Sequence, residues 1–192
     1  NKITYTTINN KKARGICGSG IVDLIAELFL NKWIDFSGTL IPENSTSILK
    51  INDEYVVEYV TKEESFNGES LIFTQSDINQ FLKTKSAANT MVAYLLEEIG
   101  LDINELDYFY TAGAFGTHID VKSAVTIGMY PDLPESKIIS PGNSSLKGSY
   151  ALLINRDLLS EVEEIKNKIE YLQLSNATDF VGKMRAASFI PH

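Results

Sequence analysis

Four stretches of the chain carry residue types from which a ligand site can be built. The first is "GICGSG", Gly15 to Gly20, which runs straight into the apolar "IVDLIAELFL". Glycine is costly inside a helix, but it lets backbone approach another group closely. The first turn of a helix also offers unpaired N–H groups and partial positive charge to an anion. A ligand loop, a tight packing turn and a thiol site around Cys17 are all open readings. The second stretch is "YTAGAFGTH", in which a strand ends in Ala112, Gly113, Ala114 and Gly116. Ligands of open α/β sheets lie beyond the carboxyl ends of strands, and small residues there let main-chain N–H groups reach a phosphate or a base. A strand-to-helix turn that needs glycine for its dihedrals is the competing reading.

The third is Lys85. Seven residues separate it from Ile78 and seven more from Val92, so it falls near the middle of an apolar helical stripe, where a bare ammonium is expensive. It either points into a cleft toward a hydroxyl or phosphate or snorkels outward along its aliphatic stem. The fourth is "SPGNSSLKGSYA", where Pro141 and Gly142 precede the N-cap candidate Asn143 and Ser144, Ser145, Gly148, Ser149 and Ala151 form a small-residue face. Close approach by a ligand and close helix packing explain that face equally.

The other polar residues have plainer readings. Cys17 near a helix start is a thiol of lowered pKa or a small packed residue. His118 and His192 lack companions spaced as metal ligands, and no metal site is expected. Asp23, Asp77 and Asp120 read as solvated or capping groups, and Glu161, Glu163 and Glu164 as a solvated helix face.

Elements must hold these residues in place. "KITYTTI" alternates like a half-buried strand, followed by the turn "NNKK". A helix begins near Ser19, with Ile21, Ile25, Leu28 and Phe29 on one face, and ends around Trp33. Thr39 to Asn52 is polar and turn-rich, while "EYVVEYV" and "SLIF" read as strands of an added hairpin, an insertion over about 39–73. Thr74 followed by Asp77 is a capping box. It opens a helix with the stripe Ile78, Phe81, Leu82, Val92, Leu96 and Ile99, which Gly100 ends. A strand over Leu106 to Thr111, a short helix in "DVKSAVTIG" and a short strand in "KIIS" follow. Two helical stretches then break near Asn155, "EYLQL" reads as a strand, and "ATDFVGKMRAASF" as a terminal amphipathic helix. Strands alternating with helices give an α/β class.

At 192 residues the chain is one domain or one lobe of a larger one. A net charge of −8 argues against nucleic acid and against anionic membrane. One cysteine excludes disulfides and thiolate-held clusters within a single chain, which fits a reduced, cytoplasmic setting. No apolar run is long enough to span a bilayer. The chain opens on a strand with no lead-in, as a fragment of a longer protein would.

Taken in order, "GICGSGIVDLIAEL", "FTQSDI…K", "YFYTAGAFGTHIDVKSAVTIGMYP" and "PGNSSLKGSYALL", with the closing "FIPH", resemble the C-terminal domain of the reductive activators of corrinoid proteins. That family belongs to the ASKHA superfamily of acetate and sugar kinases, heat-shock chaperones and actin. The resemblance implies an actin-like, ribonuclease H-like lobe with a mixed sheet flanked by helices, binding ATP or ADP with Mg2+ shared with a second, N-terminal lobe. It implies a parent protein that uses ATP to drive electrons from an iron–sulfur cluster to cob(II)alamin, returning a corrinoid methyl-transfer protein to its cob(I) state. Gly113, Ala114, Phe115 and Gly116 would pass beside the nucleotide. Gly18, Ser19, Gly20 and Lys85 would line its sugar and base side, and Gly142 and Asn143 would lie near the inter-lobe hinge.

Ser144 and Ser145 replace the alanines expected there, and "SAANTM" replaces a more regular Ala/Gly run after Lys85. No aspartate-glycine phosphate loop occurs in the chain, so negligible ATP hydrolysis is expected from it alone. The partners implied are a corrinoid protein, with the N-terminal lobe and a ferredoxin module holding the cluster in cis. A homodimer stays open. Two other functions stay open as well: a lobe of a small-molecule kinase of the same superfamily, and a non-catalytic dimerisation or docking module.

Overall fold

The computed structural model describes residues 3–173 and 179–191. Its first helix, α1 (Gly18–Leu30), is capped by the Cys17 thiol, which accepts from the Gly20 N–H. Val22, Ile25, Ala26 and Leu28 of α1 are all within a few per cent of complete burial. The helix ends at Leu30, short of Trp33, because Lys32 adopts a left-handed conformation and turns the chain so that the Trp33 and Ile34 N–H groups both reach the Leu28 carbonyl.

A three-stranded antiparallel sheet follows, β1 (Ile48–Ile51), β2 (Glu54–Val60) and β3 (Leu71–Thr74), with β2 in the middle. The expected hairpin therefore has a third strand, in a stretch whose composition reads as turns. Asn52 and Asp53, both at positive φ (49° and 64°), form the two-residue connection that pairs Ile51 with Glu54. Such a mirror-image turn matches the twist of its strands, and Asn and Asp tolerate it best after glycine. Ile48, Val57 and Phe73 point from this sheet into the core, opposite one another across the ladders.

Helix α2 (Gln75–Glu98) starts at the expected capping box: the Thr74 hydroxyl accepts from the Asp77 N–H, and the Asp77 carboxylate accepts from the Thr74 N–H. Its stripe is buried at Ile78 and Leu82 but emerges at its far end, where Ile99 is 63% exposed. Beyond it lie β4 (Phe109–Tyr110), α3 (Gly113–His118), α4 (Val121–Thr126), β5 (Ile138–Ile139), α5 (Ser144–Ile154), α6 (Leu159–Lys168) and α7 (Phe180–Ala186). The break between α5 and α6 falls at Asn155, as the sequence predicts. The core gathers α1, α4, the inner face of the three-stranded sheet and the first turns of α2 around Ile25, Val57, Ile78 and Ile127.

Two expected strands do not form. Residues 3–7 make no ladder and a 3₁₀ turn (Ile8–Asn10) follows them, while Lys2 lies outside the described residues; a parallel bridge forms further on, at Ala13 against Ser65. Residues 170–173 of "EYLQL" are likewise not strand, and Leu174 lies outside the described residues, as do Ala177 and Thr178 of the terminal helix. Alternation gives a strand only where a neighbour offers its N–H and C=O groups. Among the described residues, no helix is long and apolar enough to cross a membrane.

Candidate functional site

Strands β4 and β5 run parallel, Phe109 beside Ile138 and Tyr110 beside Ile139, and the Thr111 N–H extends the ladder to the Ile139 carbonyl at 2.9 Å. Parallel pairing puts both carboxyl ends at one edge, so the connection from β4 to α3 and that from β5 to α5 leave the sheet side by side. The Gly113 N–H donates to the Gly142 carbonyl at 2.8 Å and stitches them together.

Gly113 and Gly142 both require glycine for their backbone, at φ +94° and +73°. A Cβ on Gly113 would find nothing within 4 Å, so the loop borders open space. Gly116 differs: a Cβ there would run into the Thr111 carbonyl, and its smallness serves packing. "AGAFG" is thus less a turn than the opening of α3, and the preceding strand is shorter than its apolar run implies.

A third segment closes on the same place. A Cβ on Gly18, the first residue of α1, would sit 2.9 Å from the Phe115 ring. The α1 mouth and the α3 loop therefore touch through the absence of a side chain on Gly18, with Phe115 itself 45% exposed over the junction. Ser19 and Gly20 follow in the first turn. Hydrogen bonds from the Ser19 hydroxyl and the Gly20 N–H hold the exposed Cys17 thiol below its usual pKa.

Asn143 caps α5, its side-chain oxygen accepting from the Leu146 N–H at 2.9 Å. Lys147 donates to the Pro141 carbonyl at 2.6 Å, and Thr117 donates to the Gly113 carbonyl at 2.8 Å. Ser140 donates to the Thr111 carbonyl at 3.3 Å. These three residues fix the loops, and sequence reading missed them. A hydroxyl four residues after Gly113 in a helix is the one signal that pointed to Thr117.

Lys85 is not at this opening. It is 1% exposed, and its ammonium donates to the carbonyls of Ala187 and Phe189, each at 2.7 Å. Burial pulls its pKa down to about 8. It neither snorkels nor meets a cleft: it caps the carboxyl end of α7. Asp77 and Asp120 are caps, as read. Asp23 departs from a solvated reading, since its Oδ1 is shielded from water without a hydrogen-bond partner.

Two parallel strands whose carboxyl-end loops converge with a glycine-rich helix start belong to an α/β lobe, and the comparisons with known proteins give that lobe its class, the actin-like ASKHA domains. The family model of the C-terminal ASKHA domain of RACo matches residues 1–192, and the chain belongs to that family. A solved structure titled reductive activator for corrinoid, iron-sulfur protein superposes with a TM-score of 0.91 at 36% identity, over 98% of this chain and 30% of that one. The corrinoid activation enzyme RamQ of Eubacterium limosum is 31% identical over 188 residues, 94% of this chain and 32% of RamQ. The [Co(II) methylated amine-specific corrinoid protein] reductase of Methanosarcina barkeri is 31% identical over 111 residues, 58% of this chain and 20% of the reductase. The chain spans about a third of the length of the relatives that it matches over nearly all of its own.

Proposed function

We propose that this chain is the C-terminal, ATP-binding lobe of a reductive activator that returns the cob(II)alamin of a corrinoid methyl-transfer protein to cob(I). The observation that carries the nucleotide part is the open space at Gly113, whose N–H is tied to the Gly142 carbonyl and whose helix sets Phe115 against Gly18. Bare peptide at the ends of two parallel strands is where a planar base and a ribose fit without displacing side chains. The corrinoid part is supported by family membership and by the relatives' names.

Gly113, Ala114, Phe115 and Gly116 would run beside the nucleotide. Gly18, Ser19 and Gly20 would face its sugar side, and Gly142 with Asn143 would lie at the hinge toward the N-terminal lobe. When bound, ATP with Mg2+ supplies the free energy for the uphill electron step. The contribution of these residues is to bind, orient and exclude water, because phosphoryl transfer depends mostly on positioning and charge stabilisation. Lys85 has no place in this wall, since both of its contacts lie in the C-terminal segment. One thiol cannot hold an iron–sulfur cluster, so the cluster belongs to a ferredoxin module elsewhere in the parent protein.

ATP and ADP titrated against the full-length protein test the reading. Gly113→Asp should weaken both at least tenfold, because a carboxylate at this loop occupies the opening and repels phosphate. ATP-dependent reduction of a corrinoid protein should fall with it. An unchanged affinity would remove this loop from the site, and phosphorylation of a small metabolite would point instead to a kinase lobe.

A further inference from the structure

We propose that the segment 187–190 is a strap that sets the position of α2, with Lys85 as the positioning residue that pins it, and that α2 passes this position on to the loop at Gly113. The functional consequence rests on the nucleotide reading above; the mechanical part does not.

The strap is held at four points. Lys85 bonds the Ala187 and Phe189 carbonyls, the Ile190 N–H donates to the Phe36 carbonyl at 2.8 Å, and the Phe36 and Phe189 rings lie 5.6 Å apart. Ala187 and Ile190 are each 1% exposed. The strap therefore joins α2 to the turn that follows α1. Among the described residues, the charge of Lys85 is met by carbonyl dipoles at a helix end, an arrangement that holds only while those carbonyls stay in place.

Four residues along α2 from Lys85, on the same face, Asn89 donates its side-chain N–H to the Gly128 carbonyl at 3.0 Å. Two residues on, Tyr130 packs its ring 5.6 Å from Phe109 of β4, the strand whose ladder continues at the Thr111 N–H, bonded to the Ile139 carbonyl at 2.9 Å. Thr111 directly precedes Ala112 and Gly113. A continuous set of contacts thus runs from the strap through Lys85, α2, Asn89 and Tyr130 to the start of the loop. Coupling through this set shows when one end is moved and the other is read.

The experiment is amide hydrogen exchange on the full-length protein without nucleotide, comparing wild type, Lys85→Met and Phe36→Ala. Phe36→Ala loosens the strap without touching α2 and remains informative if Lys85→Met does not fold. The expected result is at least tenfold faster exchange at Ile190 in both variants, together with several-fold faster exchange at residues 128–130 and 111–116. Unchanged exchange at Ile190 overturns the pin. Faster exchange there with residues 111–116 at the wild-type rate overturns the coupling. ATP affinity is then measured on the same variants, with weakening expected in both. If wild type itself binds no nucleotide, the functional reading fails while the exchange result still decides the strap.

Discussion

At the scale of single residues, Lys85 and Cys17 make opposite statements about charge. The fold pulls the Lys85 pKa from 10.5 to about 8, so the folded state sheds its proton first as pH rises. Below pH 8 both states carry the proton and the cost of burying the charge is fully present. Between about 8 and 10.5 the unfolded chain binds more protons, and stability rises with pH. The partly buried phenol of Tyr59 and the buried one of Tyr130 are raised instead by desolvation and pull the other way above 10. The stability difference between wild type and Lys85→Met, from denaturant midpoints at pH 7 and 9.5, should therefore move in favour of wild type at the higher pH. A difference independent of pH would mean that the ammonium is not desolvated. Cys17 titrates below its usual range, so its alkylation by iodoacetamide should reach half-maximal rate at a lower pH than that of a model thiol. Ser19→Ala should move that midpoint upward. ATP should slow the alkylation if the α1 mouth borders the nucleotide.

At the scale of elements, the caps were the most legible part of the sequence. A cap is a local contract between a side chain and N–H groups two or three residues away, so Thr74 with Asp77, Asp120 and Asn143 announce α2, α4 and α5 without knowledge of the rest. Thr74→Ala should cost about 1 kcal/mol of stability, measured by chemical denaturation. Strands were legible only in part. β2 declares itself by alternation, whereas β1 hides in polar text because its identity depends on the left-handed Asn52–Asp53 turn and on β2 beside it. Residues 3–7 and 170–173 show the reverse error, alternation with no partner. The site was legible to the same degree. The small residues of "AGAFG" and "PGN" are local signals, and they do come together. The destination of Lys85 is fixed by carbonyls more than 100 residues away, which no spacing within α2 reveals.

At the scale of the whole molecule, the core is lopsided. Neither α5 nor α6 buries a residue, and Leu153 and Ile154 are 76% and 68% exposed. Exposed apolar surface of that extent marks a face suited to other protein. The matched relatives are about three times as long, enough chain to supply it. The 192-residue chain alone should therefore self-associate, with sedimentation giving a mass that rises with concentration. Leu153→Asp with Ile154→Asp should return it to a monomer while leaving the amides of α1 and α2 as protected as before. A concentration-independent monomer without those changes would mean that α5 and α6 repack onto the core.

The pairing of Lys85 with Ala187 spans 102 residues, and that separation has a consequence for biogenesis. As the chain emerges from the ribosome, α2 can form early, since its cap is local, but its lysine must wait in a hydrated, uncollapsed setting until residue 189 has been made. A nascent chain stalled anywhere between α2 and α7 would thus keep its lysine in water and the apolar face around it uncovered, a state for a chaperone to recognise.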